Sequence, residues 1–360
     1  MRVAVLGGGN GAYACAADLA HLGHEVRLWR RDAGALAPVI ESGTIMLKDA
    51  EGERAVRIAR ATGDIGEALR GAGLIVVPGP AFAQPDIARA LAPHLADGQI
   101  VFLPPGTFGS YLMAKIARDA GSRAEVAFAE TGTLPWLARK HGPGSVAITA
   151  RATRLPTGVF PARLSEPALA VLREAFAAIE PLEDALSAAL MNAGPIIHPP
   201  LITMNAAPLE HFARWDIHNE GTQPAVRRVT DRLDTERIAL REALGYAAPH
   251  FPLADHYRPD GEEWMYGRRV HQKLTDSKDW SEHIVLGEHR YMLEDVEQGL
   301  AFLVSVCDWA AVPCPLAKGF LAIGSAILER DLRRSGRTLE ALGLAQLSRA
   351  GMQRLLREGL

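Results

Sequence analysis

The stretch VAVLGGGNGAYACAADLAHLGHEVRLWRRD, Val3 to Asp32, constrains this chain more than any other. Apolar residues Val3 to Leu6 pass through glycines into an alanine-rich stretch with helical periodicity, and a second apolar run, EVRLW, follows. Strand, tight turn, helix and strand in that order open a dinucleotide-binding fold. In this reading Gly7 permits the sharp exit from the strand and Gly9 lets the backbone approach a pyrophosphate. Ala12 stands where a third glycine often stands and keeps the helix close to the sheet. The helix starting near Asn10 and Gly11 aims its unpaired amides at the phosphates. The alternative is a glycine-rich turn in an unrelated α/β unit.

The end of the second strand bears on the cofactor. An NAD site usually places an acidic residue about 20 residues beyond the glycines, on the ribose 2′-hydroxyl. Arg30 occupies that neighbourhood, and a guanidinium there suits the 2′-phosphate of NADP. NADP is therefore favoured. NAD stays open through Asp32, if the register runs two residues later, and Arg31 reads as a solvated loop charge.

Alternating strands and helices continue through GLIVVPGP, QIVFLPPG and AEVAFAETGTLPW. Strands this apolar belong to a parallel sheet, with ligands beyond their carboxyl ends. Pro78, Gly79, Gly106 and Glu130 are thus candidates for the nicotinamide half of the site. For the first three a plain turn role is an equal alternative, and for Glu130 so is a solvated loop carboxylate. From about residue 180 the strand signal gives way to long amphipathic patterns. The expected organisation is an α/β, Rossmann-type doubly wound domain over residues 1–185 and an all-α domain over 186–360, with the chemistry where they meet. The stretch 258–280 reads as a surface insertion or substrate cap.

In the helical half, Pro195, Pro199 and Pro200 are expected to break the helix around His198 and leave it at a junction. Arg290 and Asp295 lie at the mouth of a later helix. A histidine to polarise a carbonyl, a carboxylate to orient it and an arginine for a substrate carboxylate suffice for hydride-transfer chemistry. The pattern does not show that the three meet, and a lone histidine is often a satisfied core residue. Asn192 and Asn205 flank His198 as candidates for substrate contact or for helix capping.

The chain of 360 residues carries a formal charge of −3, which points away from nucleic acid and acidic membrane surfaces. Its three cysteines are too few and too badly spaced for a disulfide framework or a zinc site. No apolar run approaches the length of a membrane span and no leader precedes Val3. A soluble, cytoplasmic protein without a metal is expected, with a homodimer through the helical half left open.

The segments GGGNGAYACAADLA, LPPGTFGS, ETGTLPWLAR, NAGPIIHPPLITMNAA, DRLDTERIA, HRYMLEDVEQGL and GRTLEALGL span nearly the whole chain. In them the sequence resembles the octopine/nopaline dehydrogenase family, above all its bacterial opine dehydrogenases. The resemblance implies an N-terminal Rossmann domain, a helical C-terminal domain, and NAD(P)H-dependent reductive condensation of an α-keto acid, pyruvate first, with an amino acid. It assigns His198 and Asp295 to the acid/base pair and Arg290 to the site. Glu130 is a candidate receptor for the amino group. A bacterial member carries aspartate where Arg30 stands, so the NAD-type contact is lost here, and several positions between Ala247 and Trp280 do not align.

Two other readings remain. Dehydropantoate reductases and glycerol-3-phosphate dehydrogenases share the domain plan but depend on a catalytic lysine, and Lys273, Lys278 and Lys318 sit in unrelated contexts. A non-catalytic dinucleotide sensor is the third, against which His198, Arg290 and Asp295 argue.

Overall fold

The computed structural model describes residues 1–257, 265–267, 270–277 and 283–360. The chain forms two compact units, Met1–Ala189 with Arg354–Leu360, and Leu190–Gln353. Lys278 and much of the stretch expected as a cap lie outside the described residues.

The first unit has strands β1 (Arg2–Leu6), β2 (Glu25–Trp29), β3 (Thr44–Asp49), β4 (Gly52–Arg57), β5 (Arg60–Thr62) and β6 (Leu74–Val76). They are followed by β7 (Ile100–Leu103), β8 (Ala127–Thr131), β9 (Trp136–Lys140), β10 (Ser145–Arg151), β11 (Leu155–Phe160) and β12 (Ile179–Pro181). Eight of them form one sheet in the order β12-β11-β8-β7-β6-β1-β2-β5. Its pairings are parallel except β8 with β11. Val3, Val5, Leu28, Val76 and Phe102 are fully buried in it, together with Ala14 and Ala17 of helix α1 (Asn10–His21). Small side chains on that helix let its backbone lie close to the strands. After β1 the chain moves to β2 and β5 on one side, then returns to β6 on the other. The switch point therefore falls between β1 and β6, the place where an open α/β sheet takes its ligand.

A second sheet, order β4-β3-β10-β9, was not legible in the strand and helix alternation. Its β9–β10 hairpin is tied along α1. Asp18, buried on α1, accepts from Trp136 Nε1 at 2.6 Å and from the Arg151 guanidinium at 2.7 and 2.9 Å, holding the start of β9 and the end of β10. Nearer the turn, the Tyr13 hydroxyl donates to Pro143 O at 2.8 Å, and the Lys140 amide donates to Asn10 Oδ1 at 2.9 Å.

Among its described residues, the regular elements of the second unit are all helical. Here one expectation is corrected, because the prolines do not break the chain at His198. An α-helix runs from Gly194 to Met204 through Pro199 and Pro200. Pro195 falls in the first turn, where an amide has no helical acceptor in any case. The two inner prolines forgo ladder bonds, a cost offset by burying Ile196, Pro199, Pro200, Leu201 and Ile202. His198 is thus a mid-helix residue. Asp295 lies on a π-helix, Tyr291–Leu300, that continues into the α-helix Ala301–Ala310. The long helix Pro224–Ala243 supplies Glu236, whose carboxylate accepts from the amides of Leu316 and Ala317 at 2.9 and 3.0 Å and caps the helix Pro315–Ile327.

Asp18→Ala should leave the buried Trp136 indole without its acceptor and take one of two carboxylate partners from Arg151, which keeps Asp49 at 2.6 Å. We expect a loss of about 3 kcal/mol in urea unfolding, and an unchanged midpoint would show that the hairpin is held by other contacts.

Candidate active site

The glycine turn has an open, carboxylate-free helix start. Gly7 takes a φ of +141° and its amide donates to Trp29 O at 2.8 Å, which turns the chain out of β1. Above Gly9 the space is open, with nothing within 4 Å of where a Cβ would stand. Gly9 makes no side-chain cap and the first turn of α1 holds no acidic residue, so its amides meet no competing carboxylate there. Ala12 is buried at 1 % exposure, and a Cβ on Gly11 would come within 2.8 Å of Pro78 O, so the loops leaving β1 and β6 touch. Pro78 is buried and Gly79 half-buried with open space above it. The Arg30 side chain lies across Gly8, its Cδ 2.4 Å from where a Cβ would sit. These residues fit a dinucleotide phosphate.

Lys140, which sequence reading passed over, stands beside this turn with its ammonium 3.9 Å from the Tyr13 ring centroid. Burial and the nearby Arg30 guanidinium hold that ammonium below the usual lysine range. Nothing local in the sequence signals it, because the contact arises from the second sheet.

Gly106 and Glu130 are a different matter. Glu130 is 0 % exposed, and its two carboxylate oxygens accept from the amides of Phe108 and Ser110 at 2.7 and 2.8 Å. A Cβ on Gly106 would collide with it, and Gly106 O accepts from Gln84 Nε2 at 3.0 Å. Glu130 braces the loop after β7, and its expected role as receptor for an amino group is corrected accordingly.

In the helical unit His198 and Asp295 meet. Nδ1 of the imidazole lies 2.7 Å from Asp295 Oδ2. A carboxylate only accepts, so Nδ1 carries the hydrogen and Nε2 is the atom left to give or take a proton. The approach depends on Gly194, where a Cβ would stand 2.1 Å from Asp295 Oδ1. One turn further along the π-helix, Gly299 would strike Pro195 Cγ in the same way, at 2.2 Å. Asp295 is 7 % exposed, and His198 keeps 18 % of its side-chain surface open. Burial pushes the imidazole below the ordinary histidine range. The Asp295 charge and hydrogen bond pull upward without overcoming it, and Arg290 and His289 add to the lowering.

Tyr291, also not anticipated, lies against the imidazole with ring centroids 3.7 Å apart and planes 12° from parallel. Its hydroxyl is hydrogen-bonded to His218 Nε2 at 2.8 Å, and its centroid lies 5.1 Å from the Arg290 guanidinium carbon. Arg290 is exposed at the N-terminal end of the π-helix. His198, Asp295 and Arg290 thus share one locality, joined by Tyr291.

The asparagines serve the backbone. Asn205 is 5 % exposed, donates to Leu201 O and Gly221 O at 2.8 and 3.1 Å, and accepts from Trp215 Nε1 at 3.0 Å. These bonds engage both ends of its amide, which corrects the substrate reading in favour of capping. Asn192 Oδ1 accepts the Gly194 amide at 3.0 Å and closes the turn into the His198 helix. Lys318 is paired with Asp308 at 2.6 Å and Lys273 is exposed. Among the described residues, no cluster of His, Cys, Asp or Glu is placed to hold a metal, and no helix is long and apolar enough to cross a membrane.

Residues 181–328 match the family model for the α-helical domain of NAD/NADP octopine/nopaline dehydrogenase. Residues 2–117 match that for the N-terminus of NAD-dependent glycerol-3-phosphate dehydrogenase. An opine dehydrogenase of Arthrobacter sp. (strain 1C) is 31 % identical over 97 % of both chains. The chain belongs to the opine dehydrogenase family. Octopine dehydrogenase, solved with NADH and L-arginine, superposes with a TM-score of 0.70 at 19 % identity, over 97 % of this chain and 98 % of that one. Yersinopine dehydrogenase bound to NADP⁺ gives 0.67 at 17 % identity, over 99 % and 98 %. Membership makes the chain an NAD(P)-dependent oxidoreductase acting on CH–NH donors.

Gly194→Ala tests whether the His198–Asp295 contact depends on helix approach. The added methyl must displace the Asp295 carboxylate, and a misplacement of this kind costs about 100-fold in turnover. A folded variant with near wild-type turnover would show that the approach is not needed.

Proposed function

We propose that the protein joins an α-keto acid, pyruvate first, to the amino group of an amino acid, with NADPH as the preferred reductant. The observation that carries this is the His198–Asp295 hydrogen bond beside Arg290 in a chain of this family. Octopine dehydrogenase has also been solved with NADH and pyruvate. In this reading Arg290 holds the keto-acid carboxylate, its planar fork meeting both oxygens. The amine attacks the keto carbon to give a carbinolamine. His198, protonated at Nε2 and steadied by Asp295, gives that proton to the departing hydroxyl, which leaves as water, and an imine protonated on nitrogen remains, so that a hydride alone completes the secondary amine. NADPH, when bound, supplies the hydride that reduces the imine carbon, and the product is a secondary amine with two carboxylates. Arg30 supports NADPH by offering a guanidinium to the 2′-phosphate where an NAD site would offer a carboxylate.

A matrix of keto acids and amino acids, followed by NADPH and NADH oxidation with mass analysis of products, tests the reading. The expected product is the N-carboxyalkyl amino acid, formed only when both substrates are present. Equal pyruvate reduction without an amine, giving a hydroxy acid, would overturn it.

His198→Gln should lower turnover by about 100- to 10,000-fold. Asp295→Asn should do comparable damage, with a double variant no worse than His198→Gln, because either change disables the pair. Condensation draws on the protonated imidazole, so its rate should fall as pH rises through the His198 pKa. Asp295 raises that pKa, so in Asp295→Asn the fall should move to lower pH. A limb that stays in place would remove Asp295 from the pair.

A further inference from the structure

Lys140 ends β9, held by its amide on Asn10 Oδ1 at 2.9 Å and by its ammonium against the Tyr13 ring. The hairpin that carries it is fixed at its open end by Asp18 and near its turn by the Tyr13 hydroxyl on Pro143 O. Lys140 is therefore half-buried beside the first turn of α1 rather than free to swing as surface lysines do. Arg30 crosses Gly8 on the same turn, and its charge bears on both Lys140 and Tyr13. Among the described residues burial and Arg30 are what act on the Lys140 ammonium, and the first turn of α1 contributes no carboxylate. The fold thus holds two cations in each other's field at the positive end of a helix, an arrangement that repels itself unless an anion lies between.

A phosphate monoester suits such a gap, because it carries close to two negative charges and accepts from several directions. Arg30 directly follows β2, where the adenosine ribose is held in this class of fold, while the pyrophosphate is met by the amides of the helix start. We propose that Lys140 and Arg30 close on the 2′-phosphate of NADPH as a two-sided clamp, and that Lys140 is a specificity-determining residue. The clamp rests on the NADPH preference proposed above.

Binding of adenosine 2′,5′-bisphosphate and of 5′-AMP to the full-length protein isolates the 2′-phosphate. The wild type should prefer the bisphosphate. Lys140→Gln should weaken the bisphosphate by about tenfold or more, leave 5′-AMP within about twofold, and flatten the salt dependence of bisphosphate binding. Lys140→Arg, which keeps the charge, should retain much of the preference and so separates a lost contact from a damaged fold. Equal weakening of both ligands by Lys140→Gln would move Lys140 to the pyrophosphate or to hairpin packing and overturn the clamp. If Arg30→Gln loses the preference and Lys140→Gln does not, Lys140 is excluded while the NADPH reading stands. A wild type that does not distinguish the two ligands would remove the NADPH reading and the clamp together.

Discussion

The His198–Asp295 contact, on which the proposed chemistry rests, hangs on a close approach between two helices. Gly194 on one and Gly299 on the other leave no Cβ in the gap, so the π-helix can lie against the His198 helix and bring Asp295 Oδ2 to 2.7 Å from Nδ1. That one hydrogen bond selects the tautomer, points Nε2 away from the carboxylate and supplies the charge that steadies a protonated ring. Tyr291 completes the frame by covering the imidazole face and anchoring its own hydroxyl on His218. Burial works against protonation while Asp295 works for it. The imidazole is therefore neutral near pH 7 in the protein alone, and becomes an acid on the acidic side of neutrality.

The other unit relies on a buried charge in a comparable way. Asp18 ties two strands of the small sheet to α1, and Lys140, at the end of β9, takes its place against the Tyr13 ring through that attachment. The open space over Gly9, the absence of an acidic residue in the first turn and the cations alongside it all favour an anionic ligand.

Local patterns carried a good part of this in the sequence. The run from Val3 to Trp29 could be read as strand, turn and helix because each step has its own signal: apolar residues, glycines, then alanines at helical spacing. His198, Asp295 and Arg290 were assigned together through the family segments around them, since residues nearly a hundred positions apart have no local sign of meeting. What escaped was set by tertiary contact. Prolines 199 and 200 looked like helix breakers because the cost of their missing amides is local, whereas the burial that offsets it is not. Glu130 looked like a loop carboxylate, but it is sealed beneath the amides of Phe108 and Ser110. Lys140 had no motif at all, since it reaches α1 through a hairpin that the strand and helix alternation did not reveal.

The measurement closest to the central claim is ¹⁵N NMR of the imidazoles in histidine-labelled protein, with the His198 signals identified by their loss in His198→Gln. The account predicts a hydrogen on Nδ1, a bare Nε2 at neutral pH, and protonation only below the ordinary histidine value of 6.5. A hydrogen resident on Nε2 at neutral pH would contradict the pairing with Asp295 on which the mechanism rests, whereas a ring that titrates above that value would contradict only the dominance of burial over the Asp295 charge.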